Sequence, residues 1–124
     1  MEITMETNLS AEEKLRIIQE LVPGKQITLA HVIANPDEGF FEAAGLKNTG
    51  GAIGIVNASP AEFALIAGDI GTKASGVKIA HIDYHDSGTL ILTGTVSEMQ
   101  SALNAIVDYC KDKPGFTVCE VTRT

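Results

Sequence analysis

Stretches rich in β-branched and aliphatic residues recur along the chain and predict the strands of a sheet. They cover residues 26–34, 51–58, 77–84, 89–95 and 116–121. The third and fourth stretches flank Asp86-Ser87-Gly88, and a tight glycine-containing loop between two strands is typical of a β-hairpin. We therefore predict a sheet in which two neighbouring strands are joined directly.

Helix-start signals lie between the predicted strands. Residues 35–38 supply an N-cap, a proline for the first helical position and two acids that suit the positive end of the helix dipole, and Gly45 should end this helix. Capping boxes at Ser59–Glu62 and Ser97–Gln100 predict where the second and third helices begin. This order of elements predicts a single α+β sandwich with an antiparallel sheet.

Helical spacing also predicts which side chains form the core. On the second helix, which should end near Ser75, the expected apolar stripe is Phe63, Ile66, Ala67, Ile70 and Ala74. A second stripe of small residues, which lets another element come close, is formed by Ala64, Gly68, Gly71 and Ser75. The third helix carries its apolar face at Met99, Leu103, Ile106 and Cys110.

The N-terminal residues allow more than one structure. Residues 1–10 are polar and acidic, so we expect a flexible or weakly held tail there. A capping box at Ser10–Glu13 and apolar residues at helical spacing favour a helix up to residue 22. Pro23-Gly24 argues against that helix, because it would end the helix after few turns. Residues 16–19 could instead form a short strand. The pattern alone leaves both structures open.

Composition limits the partners that this chain can have. Its formal net charge of -7, without a cluster of basic residues, argues against nucleic acid. No apolar run is long enough for a membrane span, and the first residues lack the features of a secretory signal, so we expect a cytoplasmic protein. A hydrophobic content of 44% is high for so short a chain, which favours association with other copies.

The sequence contains few candidates for chemistry. Asp83-x-His85-Asp86 could hold a metal or transfer protons, but a polar, solvated turn explains it better, and His31 and His81 suit satisfied strand positions. The glycines at positions 50–54 enter a strand, whereas a phosphate-binding glycine loop leaves one. Cys110 and Cys119 have no metal-binding spacing and should be two thiols. We predict no catalysis, no cofactor and no metal.

A family resemblance begins at residues 17–36, which run IIQELVPGKQITLAHVIANP. It continues through residues 52–55, residues 66–73 and residues 121–124. Residues 17–36 closely resemble the opening of the circularly permuted BMC-domain shell proteins of ethanolamine- and propanediol-utilisation microcompartments. The resemblance implies a permuted BMC fold, a ferredoxin-like sandwich over residues 23–124, with an added N-terminal strand.

The same resemblance implies a function and sites. Members of the family form hexameric tiles that assemble with each other and with other shell proteins around a central pore. By position in the motif, Asp86, Ser87 and Gly88 would line the pore, and Asp69 with Lys73 would lie at the tile edge. Residues 15–22, with Ile17, Ile18 and Gln19, would form a strand of a small barrel that caps the pore, preceded by a flexible tail at residues 1–14.

The family pattern at the hairpin is Asp-Arg-Phe-Ser/Thr-Gly, whereas this chain has residues 83–88 as DYHDSG. That difference would alter the charge and symmetry of the pore. The leading alternative function is a small-molecule binding or sensing module that uses Tyr84-His85-Asp86 at a subunit junction. A weaker alternative is an enzyme with a His/Asp site on the hairpin. The enclosed pathway, and whether the ring lies flat, bends or opens into a filament, stay open at the level of sequence.

Overall fold

The computed structural model describes residues 25–124. The flexible tail and the pore-cap strand with Ile17, Ile18 and Gln19 lie outside the described residues, as does the helical alternative for residues 10–22. In chain order the elements are β1 (Gln26–Ala34), α1 (Glu38–Ala44), β2 (Ala52–Ser59), α2 (Phe63–Ala74), β3 (Lys78–Asp83), β4 (Thr89–Gly94), α3 (Val96–Lys111) and β5 (Thr122–Arg123).

Five strands form one sheet in the order β3-β4-β2-β1-β5. The pairs β1–β2, β2–β4 and β3–β4 are antiparallel, as the sequence predicts, while β5 lies parallel to β1. The hairpin prediction is confirmed, since β3 and β4 are joined by the loop that contains Asp86-Ser87-Gly88. The α+β fold class is confirmed as well.

The predicted strand at residues 116–121 is wrong. Thr117 makes one bridge to Gln26, and regular pairing with β1 resumes only at Thr122. Strand β1 bulges between Ile27 and Leu29, opposite this stretch, and a bulge interrupts the row of backbone groups with which a further strand would pair. The intervening side chains instead pack against the core from an irregular segment.

The two long helices pack on one face of the sheet, very close to it. Gly54 in β2 has no side chain, and a Cβ there would collide with Met99 of α3. The core between the layers includes Leu90 and Leu92 of β4 together with Leu103 and the rest of the predicted apolar face of α3, all fully buried. The predicted core face of α3 is confirmed.

The apolar stripe predicted on α2 is buried only in part: Phe63 and Ala67 are buried and Ile70 packs against the core, whereas two members are not. Ile66 is 47% exposed and Ala74 is exposed, while the small residues Gly68 and Gly71 are buried. The buried face of α2 is Phe63, Ala64, Ala67, Gly68 and Gly71. A Cβ at Gly68 would lie 3.3 Å from Ile79 Cδ1, so the helix could not lie this close to the sheet with larger residues on that face. The small residues thus face the sheet together with Phe63, and Leu65 and Ile66 point outward.

The helix starts also differ from the predicted ones. Ser59 is the last residue of β2 and pairs with Gln26, so it cannot cap α2, whose N-cap Glu62 makes no side-chain cap bond. Helix α1 begins after Asp37 and ends at Gly45 in the left-handed conformation, so its start lies two residues beyond the predicted cap while its end is confirmed.

The capping box of α3 lies two residues earlier than the predicted Ser97–Gln100 box. Its N-cap is Thr95, whose hydroxyl accepts a hydrogen bond from the N–H of Glu98, while the Glu98 carboxylate accepts one from the N–H of Thr95. The hydrogen bonds that the Glu98 carboxylate accepts from the N–H and the hydroxyl of Thr95 hold the pKa of Glu98 below its usual value. The reason is that β4 ends at Gly94, and Thr95 follows it in the extended conformation typical of an N-cap residue.

Alanine substitutions should show that Thr95–Glu98, and not Ser97–Gln100, is the capping box of α3. Thr95→Ala should lower the free energy of unfolding by about 1 kcal/mol, because it removes the hydroxyl that caps α3. Ser97→Ala should stay within about 0.5 kcal/mol of the parent, since Ser97 is exposed inside the helix. Urea unfolding at one protomer concentration measures both, and equal losses would contradict the cap assignment.

Candidate functional site

The hairpin loop, residues 83–89, is held by one carboxylate. Asp83 Oδ1 accepts hydrogen bonds from the N–H groups of His85 (3.0 Å) and Asp86 (3.2 Å). Asp83 Oδ2 accepts from the N–H (3.2 Å) and the hydroxyl (2.8 Å) of Ser87. These bonds, the Ser87 hydroxyl first, hold the pKa of Asp83 far below its usual range. The loop is therefore a fixed structure, although it is exposed.

The loop is also seated on the end of β2. The carbonyl of Gly88 accepts a hydrogen bond from the N–H of Ala58 at 2.8 Å. Gly88 has φ of 67°, and a Cβ at this position would collide with the carbonyl oxygen of Ala58. Both the backbone conformation and the close contact require glycine here.

A chain of polar side chains, the polar ladder, connects this loop to β1. The Ser87 hydroxyl lies 2.9 Å from Thr89 Oγ1, which accepts from the Asn57 amide at 3.2 Å. Thr28 then donates to Asn57 Oδ1 at 3.4 Å. The sequence analysis did not identify Asn57 or Thr28. Asn57 could have been noticed, because asparagine is rare in strands and here lies inside an apolar one.

The tip of the loop presents Tyr84, His85 and Asp86 to solvent. The rings of Tyr84 and His85 stack at a centroid distance of 4.1 Å, and Tyr84 is 40% exposed. Within residues 25–124, no three histidine, cysteine, aspartate or glutamate side chains converge as a metal site would need. The geometry of the tip is that of a solvated turn.

The second predicted site lies on α2, in the helix layer. Lys73 Nζ is 2.9 Å from Asp69 Oδ2, one turn away, and the two side chains are 75% and 58% exposed. The pair borders a groove of about 430 Å³ between α2 and α3, whose wall includes Ile66, Ile70 and Tyr109. The structure thus places Asp69 and Lys73 together, on a different layer from the hairpin loop.

The remaining chemical candidates lie apart from both of these sites. His31 is satisfied on both ring nitrogens, by Thr122 Oγ1 at 2.6 Å and Thr124 Oγ1 at 2.9 Å, while His81 is exposed on β3. Cys110 and Cys119 are free thiols, as expected, and burial raises the pKa of Cys110 to about 11. A thiol with that pKa stays protonated and unreactive.

None of the helices described between residues 25 and 124 combines the length and apolar character of a membrane span.

The chain matches proteins of known kind in sequence. Residues 52–121 match the BMC domain model. The chain is 45% identical to "Bacterial microcompartment shell protein PduU" of Salmonella typhimurium over 109 residues, which are 88% of this chain and 93% of PduU. It is 44% identical to "Bacterial microcompartment shell protein EutS" of Escherichia coli over 112 residues, 90% of this chain and 99% of EutS.

Solved structures agree with the sequence matches. A structure titled "CutR flat hexamer" has a TM-score of 0.76 at 41% identity and covers 85% of this chain and 95% of that one. A structure titled "CutR Screw" has a TM-score of 0.73 at 39% identity and covers 82% of this chain and 100% of that one. A fused permuted hexameric shell protein, with a TM-score of 0.59 at 22% identity, covers 66% of this chain and 45% of its own and shows the fold alone.

These likenesses confirm the predicted family, the BMC fold and the function of the family. They extend over most of this chain and nearly all of each close relative. The chain therefore belongs to the BMC-domain family, the shell proteins of bacterial microcompartments.

Proposed function

We propose that this protein is a structural tile that assembles six to a ring, pairs with other rings and shell proteins edge to edge, and carries out no chemistry of its own. The observation that carries the proposal is the likeness to the flat CutR hexamer, at 41% identity and a TM-score of 0.76. Six identical copies close a ring only through unlike surfaces on the two sides of each copy, and a small change of angle there gives a screw instead.

The surface of the described residues supports association. Seven large apolar side chains are at least 40% exposed, namely Leu29, Phe40, Leu65, Ile66, Ile79, Tyr84 and Tyr109. Small domains cannot bury all their apolar surface internally, and clustered exposed apolar residues mark contact surfaces. A tile that touches neighbours on several sides gives these side chains partners.

We place the pore at the hairpin loop, with Asp86, Ser87 and Gly88 lining it. The first residues of β1 pair with the last residues of β2, and the loop sits on that same end of β2. The described chain therefore enters β1 at the end of the sheet that carries the loop. That position suits a segment that caps an opening formed by six such loops, in the permuted order that the resemblance implies.

We place the tile edge at Lys73. Its ammonium group contacts only one carboxylate of its own helix among the described residues and is mostly exposed. An exposed ion pair within one helix adds little stability, so Lys73 is free to form hydrogen bonds with a neighbouring tile. The groove beside it supplies apolar surface for the same contact.

The sensing alternative, at Tyr84-His85-Asp86, has less support from the geometry. The N–H groups of His85, Asp86 and Ser87 already donate to Asp83, so the tip offers a ligand no free backbone donors at these positions. Tyr84, His85 and Asp86 are all exposed, so the tip does not exclude water, as a hairpin-borne catalytic site would need.

Removing the edge lysine should separate lateral assembly from ring formation. Lys73→Ala should abolish sheets or tubes in electron micrographs while native mass spectrometry still shows the six-membered ring. Lys111→Ala, the same change at the end of α3, is the matched control and should leave both unchanged. Intact sheets for Lys73→Ala, or loss of its ring, would show that Lys73 is not at the tile edge.

If the hairpin loop lies at the ring axis, the stability of the ring should depend on the charge of Asp86. If six copies of Asp86 surround one axis, their mutual repulsion destabilises the ring at low ionic strength, where screening is weak. Asp86→Asn should then raise the melting temperature of the oligomer in low salt, and the gain should shrink in about 0.5 M salt. An unchanged or lower melting temperature in low salt would place the loop away from the axis.

The Asp83 carboxylate should make loop stability depend on pH. Its pKa is lower in the folded protein than in the unfolded chain, so its contribution is complete above the ordinary value of about 3.9 and is lost as the pH falls below it. Asp83→Asn should therefore be less stable than the parent at pH 7, by a difference that shrinks below about pH 4. Asp108→Asn, an exposed change of the same charge on α3, is the matched control and should leave the free energy of unfolding at pH 7 within about 0.5 kcal/mol of the parent. A gap for Asp83→Asn that is independent of pH would exclude an ionic role.

A further inference from the structure

A pocket of about 280 Å³ lies between the loop that follows α1 and the first residues of β3. It is at the far end of the sheet from the hairpin loop, because Lys78 begins β3 and pairs with Thr93, next to the end of β4. The pocket shares no lining residue with the groove at Lys73. It is therefore separate from both sites described above. Its lining includes Leu46, Lys47, Thr49, Lys78 and Thr93.

The loop on one side of the pocket is fixed by backbone contacts. Asn48 Oδ1 accepts hydrogen bonds from the N–H groups of Gly50 at 3.2 Å and Gly51 at 2.8 Å. Gly50 lies so close to the end of β4 that a Cβ there would collide with the backbone of Gly94. This wall of the pocket is thus held by the protein itself, and a preorganised wall lowers the cost of binding a ligand.

The pocket carries positive charge without a balancing carboxylate. Lys47 and Lys78 are exposed, and the lining contains no aspartate or glutamate. Neither ammonium group forms an ion pair with a carboxylate of residues 25–124. Lys78 acts on Glu98 only at a distance: the bonds from Thr95 are the main cause of the lowered pKa of Glu98, and the charge of Lys78 is the last. In a chain with a formal net charge of -7, such a site attracts anions locally.

A buried threonine adds a hydrogen-bond donor to the pocket. Thr93 lines it and is 3% exposed. Its hydroxyl forms no hydrogen bond with another of residues 25–124, whereas every fully enclosed polar atom on the buried side chains of that range has a partner. The hydroxyl is therefore not sealed in the core, and the pocket is the space that this residue borders. A threonine hydroxyl there can donate to a bound anion.

A phosphate group fits these features better than a carboxylate does. Lysine binds phosphate as a point charge, and a group with close to two negative charges balances both ammonium groups, whereas a carboxylate balances one. The volume of about 280 Å³ lies just below the range of about 300–1,000 Å³ that is usual for ligand pockets. It has room for a small phosphate ester as well as for the free ion.

We infer that this pocket binds the phosphate group of a small molecule, held by Lys47, Lys78 and Thr93. Free phosphate and a small phosphomonoester share the group that the site recognises. Binding is noncovalent and leaves the ligand unchanged. The site adds ligand binding to the structural role proposed above and does not depend on the ring.

A phosphate titration of the assembled protein tests the inference. Inorganic phosphate, added at constant ionic strength, should bind saturably at one site per protomer in isothermal titration calorimetry, because screening by salt is then unchanged. Lys47→Gln, Lys78→Gln and Thr93→Val should each raise the dissociation constant by about tenfold or more. Lys111→Gln, an exposed lysine on α3 outside the pocket, is the matched control and should bind like the parent. Circular dichroism checks that each variant is folded.

Glycerol 3-phosphate, a small phosphomonoester, distinguishes the two sources of the phosphate group. Tighter binding than that of phosphate assigns the pocket to phosphorylated small molecules, and equal or weaker binding assigns it to the free ion.

Failure to saturate with either probe would overturn the inference, as would unchanged binding by both lysine variants. If the parent binds no phosphate while Lys78→Gln changes the dissociation of the oligomer, an acidic group of a neighbouring copy occupies the pocket, and the inference is wrong. A parent that binds phosphate but forms no ring would contradict the proposed function and leave the site standing.

Discussion

The close approach of two helices to the sheet is the constraint on which the rest of this structure depends. It is possible because small residues lie at the contact: Gly54 on β2 leaves room for Met99, and Gly68 on α2 leaves room for Ile79. Larger residues at these points would lift the helices away from the sheet and open voids in a core whose central side chains are fully buried.

That constraint also determines the outer surface. Because α2 presents its small residues to the sheet, its large ones, Leu65 and Ile66, face outward and are nearly half-exposed. The same helix carries Asp69 and Lys73 on its exposed side. Tight internal packing and a surface suited to contact with other copies thus follow from one arrangement of residues on a single helix.

Hydrogen bonds between polar groups hold the end of the sheet that carries the hairpin loop. Asp83 fixes the hairpin loop, Gly88 seats it on β2, and the polar ladder extends from the loop to Thr28 on β1. The loop and the start of β1 are therefore parts of one hydrogen-bonded end of the sheet. In the proposed ring, the pore loop and the point from which the cap segment departs would move together, because the same network holds both.

The sequence by itself determined the family, the α+β class, the hairpin and the core face of α3, because these depend on local spacing and on long specific motifs. It also paired Asp69 with Lys73, which are one helical turn apart. It could not identify the polar ladder, since Thr28, Asn57 and Thr89 come together only through the strand register. Only the tertiary structure decided which stripe of α2 is buried, where each helix is capped and that residues 116–121 do not form a strand. In each of these cases two local patterns compete, and contacts with residues distant in sequence determine the outcome: the sheet surface for α2, the length of the preceding strand for the caps, and the bulge in β1 for the last segment.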